Sequence, residues 1–337
     1  ETDTNTFWFY MTMEGDGRII QVPLPGKFEK AGLERGIQAA LKRFSKGFLK
    51  TVALHTPPST SPMPQFGMAG SGKRFSWLRE TLSEEHSLTT TDLKSGQVPN
   101  EADLLLLASP DKLDEKQLFA IDQFLMRGGT VVLSTSPFDI DSRWALSVRK
   151  HDSGIGKWLE FHGVTLDERL VLDPQNAAFP IPVNRKIGGF VIQETQMVDY
   201  PYFADIRESG MAQEGGITAG LDQVTLTWPS PVLIDQEKNH GRQVTRLLES
   251  TDDAWTSDGL NIQPDFRAHG QLGFPIGEER GRELLAVAVE GRFDSFFKDK
   301  PSPLAATEED KEDEAVSPDA QKNGEQIEEQ QKSVITR

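Results

Sequence analysis

Gly67-Met-Ala-Gly-Ser-Gly72-Lys73-Arg74 has the G-x-x-x-x-G-K spacing of a loop that cradles phosphates. It places Arg74 where such a loop needs Ser or Thr for magnesium, and a run of Pro and Ser separates it from the strand-like Thr51–His55. No later strand ends in the acidic residue a nucleotide site would use, so the segment is read as an irregular loop. The six histidines, His55, His86, His151, His162, His240 and His269, have no i, i+4 partner and no acidic residue at a metal-ligand offset. No metal site and no cofactor is expected. His162, in the Phe-His-Gly end of a short helix, is read as a partner of the helix dipole.

Serines offer a second chemistry. Ser109, Ser134 and Ser136 follow strand-like runs, with Asp139 close behind, and carboxyl ends of strands are where open α/β sheets bind ligands. The G-x-S-x-G elbow of a serine hydrolase is missing, and Ser-Pro is also ordinary loop chemistry. Asp173-Pro174-Gln175-Asn176, followed by Phe179-Pro180-Ile181-Pro182, is a stiff polar stretch. It reads either as a ligand rim or docking segment, or as a surface crossover held by Asx turns, and the second reading is favoured. Tyr200, Tyr202, Phe203, Trp228 and Trp255 can stack a sugar or a partner, but aromatics more often fill a core.

The elements that must position these groups centre on residues 102–138. Leu104–Leu107 is an apolar run suited to a strand covered on both faces. Asp114 and Gln117 have capping-box spacing, Leu118, Ile121 and Leu125 form one stripe, and Gly128-Gly129 provides a left-handed stop. Thr130–Thr135 is the next strand, so the unit is a βαβ crossover with parallel strands. Upstream, Phe7–Tyr10 and Arg18–Val22 read as a hairpin, Leu33 to Phe44 and Phe75–Leu82 as helices, and Ser87–Leu93 as strand-like. Downstream, Ile155–His162 reads as a short helix. Val224–Trp228, Val232–Ile234, Gln243–Leu248 and Leu284–Phe293 read as strands, the last of them central, whereas LVLDPQNAAFPIPV has no period.

The predicted fold class is α/β, a parallel-core sheet flanked by helices with further β-rich elements in the second half. Residues 1–300 form the folded region: hairpin and helix over 1–45, βαβ core over 46–145, and a second half over 146–300. Residues 301–337 hold ten acidic and four basic residues, −6 of a net −16, and read as a disordered acidic linker. The acidic body excludes nucleic acid as the main partner. The absence of cysteine excludes disulfides, thiolate nucleophiles and Cys-based metal sites. No apolar run approaches the length of a membrane span. The abrupt start, without an initiator Met, suggests a piece of a longer chain.

Several landmarks together resemble one family. TPPSTSPMPQFGMAGSG before FSWLRETL, ADLLLLASPDKLDEKQLFAIDQFLMRGGTVVLSTSPFD, LVLDPQNAAFPIPV, WPSPVLID, VTRLLESTDDAW and ELLAVAVEGRF follow in order across residues 5–297. The series is similar to the gliding-motility-type ABC transporter auxiliary components, the GldG-like proteins. That resemblance implies a class I glutamine-amidotransferase-like layer without amidotransferase chemistry, and flanking transmembrane helices outside this chain. It further implies an ABC-2-type permease with its ATPase as partners, and a place on the extracytoplasmic (periplasmic) face of the inner membrane. No site residue carries over. The expected function is therefore non-enzymatic docking and coupling to the permease, with homo-oligomerisation left open. The alternatives are a binding module for a glycan, peptide or lipid headgroup beyond Ser109 and Ser134–Asp139, and, lowest, a serine hydrolase.

Overall fold

The computed structural model describes residues 11–15, 18–22, 30, 33, 34, 37, 41, 50–58, 73–141, 146–187, 190–213 and 216–305. Two compact units divide the chain, residues 1–110, 114–134 and 297–337 in the first, and 111–113 and 135–296 in the second. The chain is a mixed α/β protein with one parallel four-stranded sheet and several antiparallel ones.

In the first unit, β1 (Met11–Gly15) pairs with β2 (Arg18–Val22) as an antiparallel hairpin. The expected hairpin is present with its first strand after Tyr10; Phe7–Tyr10 lies outside the described residues. Of the helix expected from Leu33, the described Leu33, Glu34, Ile37 and Leu41 are helical, and the rest lies outside. The parallel sheet contains β3 (Thr51–His55), β4 (Ser87–Thr90), β5 (Leu104–Ala108) and β6 (Thr130–Ser134), in the order β4-β3-β5-β6. α1 (Ser76–Glu85) connects β3 to β4, and α2 (Glu115–Met126) connects β5 to β6.

The capping box at α2 is complete. The Gln117 amide donates to Asp114 Oδ1 at 2.8 Å, and the Asp114 amide donates to Gln117 Oε1 at 2.9 Å. Gly128, at φ 87°, provides the left-handed exit. α2 is buried on nearly every side rather than along one stripe, Asp122 and Gln123 included. The reason is a return of the chain: Phe297 sets its ring edge-on to Phe119 with centroids 5.3 Å apart. Residues 302–305 close a turn, with the Ala305 amide on the Ser302 carbonyl at 3.0 Å. A side chain at Gly96 would collide with Leu304. The expected linker from 301 thus opens with an ordered turn, and its remainder, 306–337, lies outside the described residues.

In the second unit, β7 (Phe138–Asp141) pairs with β8 (Ser147–Lys150). α3 (Gly156–Phe161) and a left-handed Gly163, φ 79°, match the expected helix and its stop. Next come β9 (Val164–Leu166) and β10 (Leu170–Leu172). LVLDPQNAAFPIPV, expected to be irregular, instead supplies β10 and the start of β11 (Asn176–Ile187), which pairs with β12 (Phe190–Ile206). Pro180 and Pro182 fit because β11 is an edge strand, where a residue without an N–H breaks no ladder on its open side. β13 (Val224–Thr227) pairs only with Phe203–Ile206 of β12.

β14 (Val232–Ile234) pairs with β9, and β16 (Trp255–Ser257) with β10. β15 (Gln243–Glu249) pairs with β17 (Leu284–Glu290). β17 is therefore one of a pair and not the central strand that its apolar run suggested. α4 (Phe266–His269) is a single turn. Tyr200, Tyr202, Trp255, Phe138, Leu170, Leu172, Ile262 and Phe274 form the unit's main core, against which Phe179, Phe203 and Trp228 pack. The aromatics are thus core and not a stacking platform. Tyr200 Oη donates to the Ile262 carbonyl at 2.8 Å and accepts from Trp228 Nε1 at 3.2 Å. Burial pushes the Tyr202 phenol up to about 12.

Candidate functional site

In the parallel sheet every neighbouring pair is parallel, and the order β4-β3-β5-β6 reverses direction between β3 and β5. From β3 the chain leaves toward β4, and from β5 it leaves toward β6. The two connections diverge between the carboxyl ends of β3 and β5. In open α/β sheets such a switch point is where ligands bind.

Five polar side chains meet at these two strand ends. His55, the last residue of β3, is buried, with Nδ1 3.1 Å from the Thr91 carbonyl. A carbonyl only accepts, so Nδ1 carries the proton in that bond. Burial holds the His55 pKa below its usual 6.5, against the opposing pull of the Thr91 hydrogen bond and the Asp92 charge, so the ring is neutral at pH 7. Thr56 follows, and its Oγ1 accepts from Arg79 Nη2 at 3.1 Å. Ser109 follows β5, and its Oγ accepts from Lys73 Nζ at 2.7 Å. The Ser109 amide donates to the Ser134 carbonyl at 2.7 Å, which ties the exits of β5 and β6 together.

Ser109 holds φ at 52° and the buried Leu93, beyond β4, holds 61°. Left-handed backbone at a non-glycine residue costs on the order of 1–2 kcal/mol, and such residues gather at functional sites. An open polar depression of about 200 Å³, lined by Thr91, Ser95, Gln97, Val98, Pro99 and Asn100, lies beyond the end of β4.

Of the residues singled out in the sequence, Ser109 and Ser134 are joined here. Lys73 is at the strand ends although the loop before it is no nucleotide loop by sequence; Gly67–Gly72 lie outside the described residues. Thr56 and Arg79 gave no motif. The signal that could have found them is position alone: Thr56 is the first residue after a parallel strand, and Arg79 is one turn into the helix of its crossover.

The other five residues belong to the second unit. Ser136 Oγ accepts from the Phe138 amide at 3.1 Å, a local turn. Asp139 pairs with Arg149 at 3.2 Å on the exposed face of β7–β8. Asp173 is fully buried. Its Oδ1 accepts from the Gln175 amide and Thr251 Oγ1, and its Oδ2 from the Thr251 amide, each at 2.8 Å. Gln175 Nε2 donates to the Asp205 carbonyl at 2.5 Å, and Asn176 Oδ1 accepts from the Tyr200 amide at 2.7 Å. Asp173, Gln175 and Asn176 thus come together, and their bonds point inward to lock β10, β11, β12 and the 250–251 turn. The Asx turn at Asp173 is present, but it is buried.

Among the described residues no group of three or more His, Asp or Glu could hold a metal ion, and no helix is long and apolar enough to cross a membrane. The sequence model of the ABC-type uncharacterized transport system family matches residues 50–334, from β3 onward. No curated protein and no solved structure matches the chain.

Proposed function

The chain belongs to the ABC-type uncharacterized transport system family, whose members are transporter auxiliary components, and from that premise we propose that it is a non-enzymatic docking subunit of an ABC-2-type permease and its ATPase. On this reading the domain stands on the extracytoplasmic face of the inner membrane, tethered by helices outside the chain. Its parallel sheet is a class I glutamine-amidotransferase-like layer put to structural use, as in gliding-motility-type systems.

The observation that carries the docking reading is the β11–β12 ribbon. Ten pairs run from Ala178↔Asp199 to Ile187↔Phe190, and no third strand accompanies them among the described residues. Ile192 and Met197 are exposed along it. A long two-stranded ribbon with open edges and exposed apolar residues has nothing among the described residues to stabilise it there, and on this reading a partner supplies that stabilisation.

The test uses the full-length protein in its native membrane. A photo-crosslinking residue is placed at Ile192 or Met197, and adducts are identified by mass spectrometry. The expected result is adducts with an ABC-2 permease or its ATPase. Recovery of the protein alone, or only of a second copy, overturns the reading.

A further inference from the structure

α1 joins β3 to β4, yet it lacks most of the devices that ordinarily hold a helix. Phe75 gives it no side-chain cap, its first turn has no acidic residue, and its last turn has no basic one. None of its residues is buried. Phe75, Leu78 and Leu82, at i, i+3 and i+7, form a half-buried stripe, and the helix packs on β4. Trp77, Glu80, Thr81 and Glu84, at i, i+3, i+4 and i+7, form a second stripe, and all four are exposed. Trp77 is 80% exposed, more than any other large apolar side chain among the described residues.

The charge on this second stripe is uncompensated. α1 holds Glu80, Glu84 and Glu85 against Arg79 alone, and Arg79 stands one, five and six residues from them, offsets that do not bring side chains together. Arg79 Nη2 instead donates to Thr56 Oγ1. Among the described residues none of the three glutamates forms an ion pair. Glu80 and Glu84 repel each other at i, i+4. Glu84 and Glu85 stand at the negative end of the helix dipole.

We propose that the Trp77–Glu84 stripe of α1 is a protein-docking surface, whose partner takes Trp77 into an apolar pocket rimmed by lysines or arginines. Such a rim answers Glu80, Glu84 and Glu85 and the end of the dipole together, and removes Trp77 from water. A tryptophan is a rigid anchor of the kind that dominates interface energies. Local rules broken together without a gain inside the chain mark a surface whose compensation comes from elsewhere. An anionic lipid surface is the poorer match, because the glutamates face its headgroups. A second copy docking by the same face sets glutamate against glutamate. α1 belongs to the first unit and the ribbon to the second, so the two docking assignments are separate and each is tested at its own residues.

The test uses the full-length protein in its native membrane, with a photo-crosslinking residue at Thr81, between Trp77 and Glu84 on the stripe. Mass spectrometry then identifies the crosslinked peptides. The expected adduct is with a protein segment that carries Lys or Arg beside apolar residues. Trp77→Ala lowers its yield about tenfold or more, as the loss of a buried aromatic anchor does. Glu84→Lys lowers the yield as well, while its melting temperature is equal to the parent's or higher, because the change replaces the i, i+4 repulsion by an attraction and puts a cation at the helix C-terminus. A variant that folds at least as well and docks worse separates docking from stability. No adduct, adducts only with phospholipid or with a second copy, or a protein adduct whose yield survives Trp77→Ala or Glu84→Lys, overturns the proposal.

Discussion

Replacing Asp173 by alanine separates the two readings of the 173–176 stretch. The side chain is fully buried and accepts three hydrogen bonds, from the amides of Gln175 and Thr251 and from Thr251 Oγ1. Alanine leaves all three donors without an acceptor. Each orphaned buried donor costs about 1–3 kcal/mol, and water entering the vacated space recovers part of that, so a loss of about 3–5 kcal/mol is expected. For a unit of this size that lowers the melting temperature by roughly 10 °C. Asp173→Asn keeps one acceptor oxygen and turns a donor toward the Thr251 amide, so it costs about half as much. Urea titration followed by tryptophan fluorescence reads both, with an exposed carboxylate, Asp253→Ala, as the control. If Asp173→Ala unfolds within about 0.5 kcal/mol of the parent, as a surface change does, the structural reading fails. A stable Asp173→Ala that loses its partner makes the stretch a docking rim instead.

His55 gives a pH signature. Its folded-state pKa lies below 6.5, so on acidification the unfolded chain takes up a proton before the native one does. Its contribution to stability is present above pH 6.5 and is lost as pH falls from there through the folded value; His55→Gln should flatten stability over that window, and an unchanged slope removes the assignment. Tyr200→Phe leaves Trp228 Nε1 and the Ile262 carbonyl without their shared partner and should cost about 1–2 kcal/mol by urea titration, with no loss sinking the argument. Gly154 holds φ at 80°, and a Cβ there would fall on the backbone of Leu113. Gly154→Ala should therefore lose at least about 2 kcal/mol, and a melt equal to the parent's contradicts the close approach.

The parallel core was legible because its signals are local. A short apolar run, a capping box and a Gly-Gly stop are each complete within a few residues, and β5, α2 and β6 fall where those signals place them. The ribbon was not legible, for a physical reason. Residues 192–197 are exposed, so no burial alternation is written into them, and Pro180 and Pro182 punctuate β11 like a loop. The site divides in the same way. Ser109 follows its strand directly and could be picked out by position, whereas Lys73 and Arg79 reach the strand ends only through the path of the β3–β4 connection, which no local pattern encodes. Asp173, Gln175 and Asn176 read as surface residues, of a crossover or of a rim, because polar residues beside prolines usually face solvent. Here the partners that turn them inward, Thr251, Asp205 and Tyr200, are 24 to 78 residues away in sequence.

The same prolines that hid the ribbon also decide how a partner strand would use it. An added strand bonds to alternate N–H and C=O groups along an open edge. β11 carries Pro180 and Pro182 two residues apart, which puts both missing N–H groups on the same side of the strand. If that side faces outward, β11's edge cannot template a continuous ladder. If it faces β12, the pairing within the ribbon is weakened where it leaves the core, and the ribbon depends the more on an external strand. β12 has no proline between Phe190 and Tyr200, so its outer edge is unbroken over that stretch; Pro201 follows, and β13 joins at Phe203. In the first case an incoming strand is steered to β12. On the docking reading, that edge presents Glu194 and Asp199 beside the exposed Ile192 and Met197. The partner it fits is an extended segment that alternates apolar and basic residues, adding as an antiparallel or parallel fourth strand to the β11-β12-β13 sheet.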